Sequence, residues 1–267
     1  MRSPGALIGG ALMVALAVSA GAQTPLPGPG WPVPPVSFVD LPYPPAALEA
    51  RVRGSVIVQV TTDTDGHVSN AVALAGPQAL APAVIENVRQ WAFPAGERTG
   101  VVVYRFDEAE GECNDDRRSL FQLKYGNLAM VTACHAKGRS AMPLNQQPWI
   151  ADYGVAVYPP IAASARIRGI AVLELTLRRD GRVASTRLLA GPPIISDAAV
   201  KHAGTWRLTS PETLPRAHIV VYEFSFDYEA CDHDHQSSAF WRTDAQTVHV
   251  AVCSPVINVS GQTRPKP

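Results

Sequence analysis

Tyr43-Pro44-Pro45-Ala46-Ala47-Leu48-Glu49-Ala50-Arg51-Val52-Arg53-Gly54 opens a stretch that runs to Phe106 and is then written a second time. A shift of about 115 residues carries Tyr43-Pro44-Pro45, Arg51, Arg53, Gly54, Asp65-Gly66, Gly76-Pro77 and Trp91 onto Tyr158-Pro159-Pro160, Arg166, Arg168, Gly169, Asp180-Gly181, Gly191-Pro192 and Trp206. Self-similarity at a fixed period fixes the architecture before any single residue is read. Beyond the tryptophan the shift grows by a few residues, and Tyr104, Phe106, Cys113 and Cys134 return as Tyr222, Phe224, Cys231 and Cys253.

Each copy predicts a short helix, a hairpin, a second helix and a further strand. Proline suits the first helical turn, where its missing N–H costs nothing. An alanine-rich run follows each Pro-Pro pair, and Gly54 and Gly169 are expected to stop these helices. Val56, Val58 and Val60 then alternate with Ile57, Gln59 and Thr61, and Ala171, Leu173, Leu175 and Leu177 with Val172, Glu174 and Thr176. Alternation with period two predicts half-buried strands. Asp65-Gly66 and Asp180-Gly181 are hairpin-turn dipeptides. The return strands end at Gly-Pro, and the period then becomes helical. Leu80, Val84, Val88 and Trp91 share one face, as do Ile195, Ala199, Ala203 and Trp206. Ser196 or Asp197 is the expected cap of the second of these helices. Both tryptophans read as core, and the tyrosines that begin each copy as structural.

The ordered set Tyr-Pro, Gly, valine-rich strand, Asp-Gly, Gly-Pro and helix ending in Trp resembles the C-terminal domain of TonB-family energy transducers. Trp91-Ala92-Phe93-Pro94-Ala95 is close to the family's Trp-x-Phe-x-Pro ending, and Trp206-Arg207-Leu208-Thr209 is a looser version. The resemblance implies an α+β fold of two tandem domains, each a small antiparallel sheet packed on helices. It implies a non-enzymatic interaction module that binds the extended TonB box of outer-membrane receptors by adding it to a sheet edge. The physical basis is general, because an edge strand offers unpaired N–H and C=O groups to an extended peptide. By resemblance, the recruiting edge is Val101, Val102, Val103, Tyr104, Arg105 and Phe106, with its copy Val220, Val221, Tyr222, Glu223 and Phe224.

The resemblance stops short of energy transduction. Met1 to Ala22 reads as a signal peptide, with Arg2, an Ala/Leu/Val/Gly run and Ala20-Gly21-Ala22 as the cleavage site. An uncleaved anchor is the alternative, against which stands a run richer in Ala and Gly than in Leu and Ile. Residues 23–36 form a Pro/Gly-rich linker that reaches only about 40 Å as a polyproline helix. No histidine precedes His67, whereas the family's motor-contacting helix typically carries one. The expected organisation is therefore a signal peptide at 1–22, the linker, repeats at 37–147 and 148–258, and a loose tail at 259–267. Such a chain belongs in the periplasm, with no membrane span left after cleavage.

Four cysteines recur two per repeat, at Cys113 and Cys134 and at Cys231 and Cys253. Behind a signal peptide an even count reads as disulfides, and four cysteines allow three pairings. The repeat favours 113–134 with 231–253. Hairpin-like sequence lies inside each pair, with Phe121 to Tyr125, Gly126-Asn127 and Leu128 to Cys134 in the first and Phe240 to Thr243 and Thr247 to Cys253 in the second. Each repeat thus extends the family domain by a disulfide-linked hairpin. If that hairpin pairs with the preceding strand, it occupies the recruiting edge, and the sequence leaves this open.

Composition narrows the remaining chemistry. Lys+Arg and Asp+Glu both total 23, so charge points to neither nucleic acid nor an anionic membrane. No nucleophile elbow or phosphate-binding glycine loop is present, and no cofactor is implied. Cys231-Asp232-His233-Asp234-His235 has metal-ligand character. It reads first as a bonded cysteine and a solvated loop, because the equivalent Cys113-Asn114-Asp115-Asp116 has no histidine. A surface copper or zinc site at His233 and His235 is the alternative. His202 reads as a surface residue of the second helix. Arg51, Arg53, Arg166 and Arg168 recur at equal places and read as solvated helix ends, with anion binding as the alternative. The leading function is protein binding to outer-membrane receptor peptides or other envelope components. An envelope scaffold or adaptor without peptide binding, or a metal-binding periplasmic protein, are the other readings.

Overall fold

The computed structural model describes residues 33–110, 119–135, 150–154, 156–209, 217–226, 238–242 and 246–252. The signal peptide, nearly all of the linker, the C-terminal tail, His233 and His235, and Cys113, Cys231 and Cys253 lie outside the described residues. Among the described residues no helix is long and apolar enough to cross a membrane.

Repeat one contains α1 (Pro45–Glu49), β1 (Gly54–Thr62), β2 (Val68–Ala75), α2 (Ala81–Val88), β3 (Arg98–Glu110), β4 (Ser119–Lys124) and β5 (Leu128–His135). Repeat two begins with β6 (Ile150–Asp152) and continues with α3 (Pro160–Ser164), β7 (Gly169–Leu177), β8 (Val183–Ala190) and α4 (Pro193–Ala203). It ends with β9 (Arg207–Leu208), β10 (Ala217–Ser225), β11 (Ser238–Arg242) and β12 (Thr247–Val252). β1–β5 form one five-stranded sheet in the order β2-β1-β3-β5-β4, and the second follows the same plan, β11-β12-β10-β7-β8.

The sheets are mixed rather than antiparallel, which corrects the expectation. β5 runs parallel to β3, and β12 parallel to β10. The cause is the order of the hairpin. Its first strand, β4, lies at the outer edge, and its second returns between β4 and β3, so it travels in β3's direction.

Helix signals placed the elements well and their ends less well. α1 and α3 start on the predicted prolines, but they end at Ala50 and Ala165. The reversal falls on Arg51 and Arg166, with φ of 55° and 54°. These residues hold a left-handed conformation that is costly for a non-glycine, and the N–H groups of Arg51 and Val52 close the turn onto Leu48 and Ala47. α4 starts at Pro193, so Ser196 lies within the helix and is buried instead of capping it. Tyr43 and Tyr158 are structural as expected: their hydroxyls donate to the carbonyls of Val52 (2.7 Å) and Ile167 (2.6 Å).

The central strands β1, β3, β7 and β10 are buried on both faces, not one. Val56, Val58, Val60, Val102, Tyr104 and Phe106 face Leu80, Val84, Val88 and Trp91 in the helix-side core of repeat one. The opposite face is also buried. Ile57, Val101 and Val103 share a continuous core with Ile170, Val172, Leu189, Ala190 and Val221 of repeat two. The other side of repeat two's sheet covers its own helices through Leu173, Leu175, Tyr222, Phe224 and Val248, in one core with Ile195, Ala199 and Trp206. The result is a layered body with helices outside and two sheets face to face inside, an arrangement that buries each apolar face once.

Candidate functional site

The strands marked as recruiting edges are interior strands. β3 pairs with β1 on one side and β5 on the other. β10 pairs with β7 and β12. The N–H of Val103 donates to the Asn127 carbonyl at 2.8 Å, and that of Val221 to the Gln246 carbonyl at 2.6 Å. The groups that an added peptide would need on Val103, Tyr104, Arg105 and Phe106, and on Val221, Tyr222, Glu223 and Phe224, are therefore taken by the chain's own hairpins. The Val101 carbonyl accepts from Asn127 Nδ2 at 3.2 Å, and Val102 and Val220 precede the paired stretches. The inserted strand is the physical reason the expected edge is closed.

Among the described residues the other edges of the sheets stay single-paired. β2 and β8 do so with a register shift near each end of their pairing. Such bulges twist an edge away from further pairing. β4 and β11 are the outer strands of the hairpins, and their registers against β5 and β12 contain no shift. Tyr43 reaches across to β4, its N–H donating to Ser119 Oγ at 3.1 Å, and Phe38 lies against Phe121 with ring centroids 5.9 Å apart.

Where the sheets meet, the second face of β3 and β10 carries a buried charged cluster. Arg105 is 4% exposed and Glu223 3%, so both charges are out of water. Arg105 Nη1 donates to Glu223 Oε2 at 2.5 Å. His249 Nε2 lies 2.9 Å from the same Nη1 and 3.0 Å from the same Oε2. Tyr125 donates to Glu223 Oε1 at 3.4 Å, and Ser55 and Thr247 join their hydroxyls at 2.8 Å nearby. Burial pushes the Glu223 carboxyl up, but the His249 hydrogen bond and the Arg105 guanidinium outweigh it and hold the carboxyl down at about 2. Burial, followed by the Glu223 charge, pushes the Tyr125 phenol up to about 12.

A second polar cluster lies between each helix and its sheet. In repeat one Asn87 Oδ1 accepts from Trp91 Nε1 (3.2 Å) and Tyr104 Oη (2.8 Å), while its Nδ2 donates to the Val39 carbonyl. The equivalent of Asn87 is His202, which is buried rather than at the surface, a correction to its reading. Its Nδ1 lies 3.0 Å from Tyr222 Oη and its Nε2 2.8 Å from the Gly154 carbonyl. Burial lowers the affinity of His202 for a proton, more than the bond to Gly154 raises it.

His202 also lines a cavity of about 580 Å³ on repeat two, with Val157, Ile161, Ile194, Asp197 and Lys201. Ile161 is 70% exposed, where repeat one has Ala46. The positions equivalent to Val157 and Ile194 are Pro42 and Ala79.

The remaining candidates are dispersed. Arg53 is not a solvated helix end, since its Nη1 pairs with Asp107 at 3.1 Å and Glu108 at 3.4 Å. Arg51 serves the turn described above. Cys134 lies on β5 and is disulfide-bonded, with its partner outside the described residues. No group of three or more His, Cys, Asp or Glu among the described residues is placed to hold a metal ion.

Sequence reasoning missed the Arg105–Glu223–His249 cluster and the sheet-to-sheet packing. A signal was available in Val56-Ile57-Val58, Val101-Val102-Val103 and Ile219-Val220-Val221. Unbroken apolar runs mark strands covered on both faces.

The family described as Gram-negative bacterial TonB protein C-terminal matches residues 39–106 and 155–229, together more than half of the chain. No curated protein and no solved structure matches. The matched segments end at Phe106 in repeat one and at Glu229 in repeat two, before the hairpins that close β3 and β10. Two helix–sheet units in the same strand order, each covered by its own match, place this chain in the TonB C-terminal family, whose domain it carries twice.

Proposed function

We propose that the chain is a non-enzymatic interaction module of the Gram-negative periplasm that recruits extended protein segments at the outer strand of its hairpins, β4 in repeat one and β11 in repeat two. The observation that carries this reading is the position of the hairpin. It fills the edge of β3 and presents a new outer strand, β4, on the same side of the same sheet. The β4–β5 register is regular from Ser119↔Ala133 to Lys124↔Leu128, whereas β2 and β8 are bulged. A regular edge keeps its N–H and C=O groups in line for an extended peptide. Family membership supports a protein partner, and segments of outer-membrane receptors are the first class to offer.

The test is a pair of proline variants. N–H groups on a strand point alternately to its two neighbours. Of Phe121→Pro and Gln122→Pro, one removes an outward N–H and the other a bond to β5. Titration of the full chain with peptides from the N-termini of the host's outer-membrane receptors should show binding that the outward variant weakens while the sheet stays folded. Binding unaffected by either proline would remove β4 as the recruiting edge. A chain that binds none of the peptides at millimolar concentration would leave an envelope scaffold as the reading.

A further inference from the structure

Arg105 and Glu223 occupy the same position in the two repeats. Tyr104 and Phe106 flank Arg105 as Tyr222 and Phe224 flank Glu223. Their cross-strand neighbours are equivalent too, since Arg105 pairs with Met130 on β5 and Glu223 with His249 on β12. The two sheets thus bring one position of the repeat against its own copy, with opposite charges on the two sides.

We infer that Arg105 and Glu223 are the specificity determinants of the inner faces: they make repeat one's face fit repeat two's and reject a second copy of itself. The same face joined to its own copy would bury Arg105 against Arg105, or Glu223 against Glu223. Like charges in contact away from water are strongly unfavourable, whereas the observed pair is within hydrogen-bonding distance. The apolar part of the interface carries no such discrimination. Ile57, Val101, Val103, Ile170, Val172 and Val221 are aliphatic on both sides and would bury one another in any combination. His249 reinforces the asymmetry, because its Nε2 reaches both members of the pair while its counterpart Met130 has no charge or strong hydrogen-bonding group. A buried ion pair contributes little net stability compared with an apolar pair, and its best-attested use is the choice of partner and register. The inference concerns only the inner faces and does not depend on recruitment by β4.

The full-length chain tests it in four variants. R105E and E223R each place like charges at the contact, and both should lower the denaturant midpoint and enlarge the particle in solution scattering. R105E/E223R should recover most of both losses. R105M/E223M is the deciding variant, since it should keep or exceed wild-type stability yet refold at high concentration into a mixture with assemblies larger than the wild-type species. The inference is overturned if R105M/E223M refolds to the same single species as the wild type, or if R105E/E223R is no better than the single variants. Failure of the single variants to fold leaves the decision with these two.

Discussion

At Glu223 the chain places a carboxylate where water cannot reach it and supplies Arg105, His249 and Tyr125 in exchange. Removing one partner leaves a buried charge without compensation, so Arg105→Met alone should cost about 3–5 kcal/mol in urea denaturation. The pH dependence follows from the lowered carboxyl. The unfolded chain takes up the proton first, so the contribution of Glu223 is complete above its ordinary value of 4.5 and is lost as pH falls towards about 2. His202 acts in a different window. Its proton affinity is lowered on folding, so the unfolded state binds the proton more readily and stability declines as pH falls through about 6.5. Replacing it by the residue that repeat one uses, His202→Asn, should flatten the loss in denaturant midpoint between about pH 7.5 and 5.5. The acid limb near Glu223 should remain.

Elements were largely legible in the sequence where a local signal fixed them. The period-two runs marked β1 and β7, the Asp-Gly dipeptides marked the β1–β2 and β7–β8 turns, and the hairpin strands β4 and β5 lie within a few residues of the reading. Gly66 in the first turn has φ of 90°, and a Cβ there would overlap the Phe93 carbonyl. Gly66→Ala should therefore destabilise the chain by about 1–3 kcal/mol, measured by thermal or urea unfolding, through strain and through loss of the Phe93-to-Gly66 bond. Element ends were less legible. Arg51 and Arg166 take the left-handed turn that glycine was expected to take, because the requirement is set by the chain's return to the sheet rather than by local preference. His202 looked like a surface residue because nothing in its helix shows that Gly154 and Tyr222 meet it there. Non-reducing peptide mapping of the protein from its native host should give Cys113–Cys134 and Cys231–Cys253, the pairing that would staple each hairpin to its own strand. A cross-repeat link would mean that the hairpins are tied to each other instead.

For the molecule as a whole, the repeat announced two domains, but it did not show that they pack face to face or that each one's hairpin shuts its own sheet. Pairing between sequence-distant strands leaves no local periodicity, and a strand reads the same whether its second face meets water or another sheet. The clue was composition, in the apolar runs of β1, β3 and β10, and its meaning depends on the partner face. Closure of β3 and β10 separates this chain from an open strand-recruiting domain, and it leaves β4 and β11 as the regular outer edges. The amides of Val103 and Val221 report on it directly, because they donate to the hairpin side at 2.8 Å and 2.6 Å. Hydrogen exchange of the full chain, read residue by residue, should find both amides as protected as those of the central β1 and β7. Exchange of Val103 and Val221 at the rate of open-edge amides, with β1 and β7 still protected, would contradict the closed edge and return recruitment to β3 and β10.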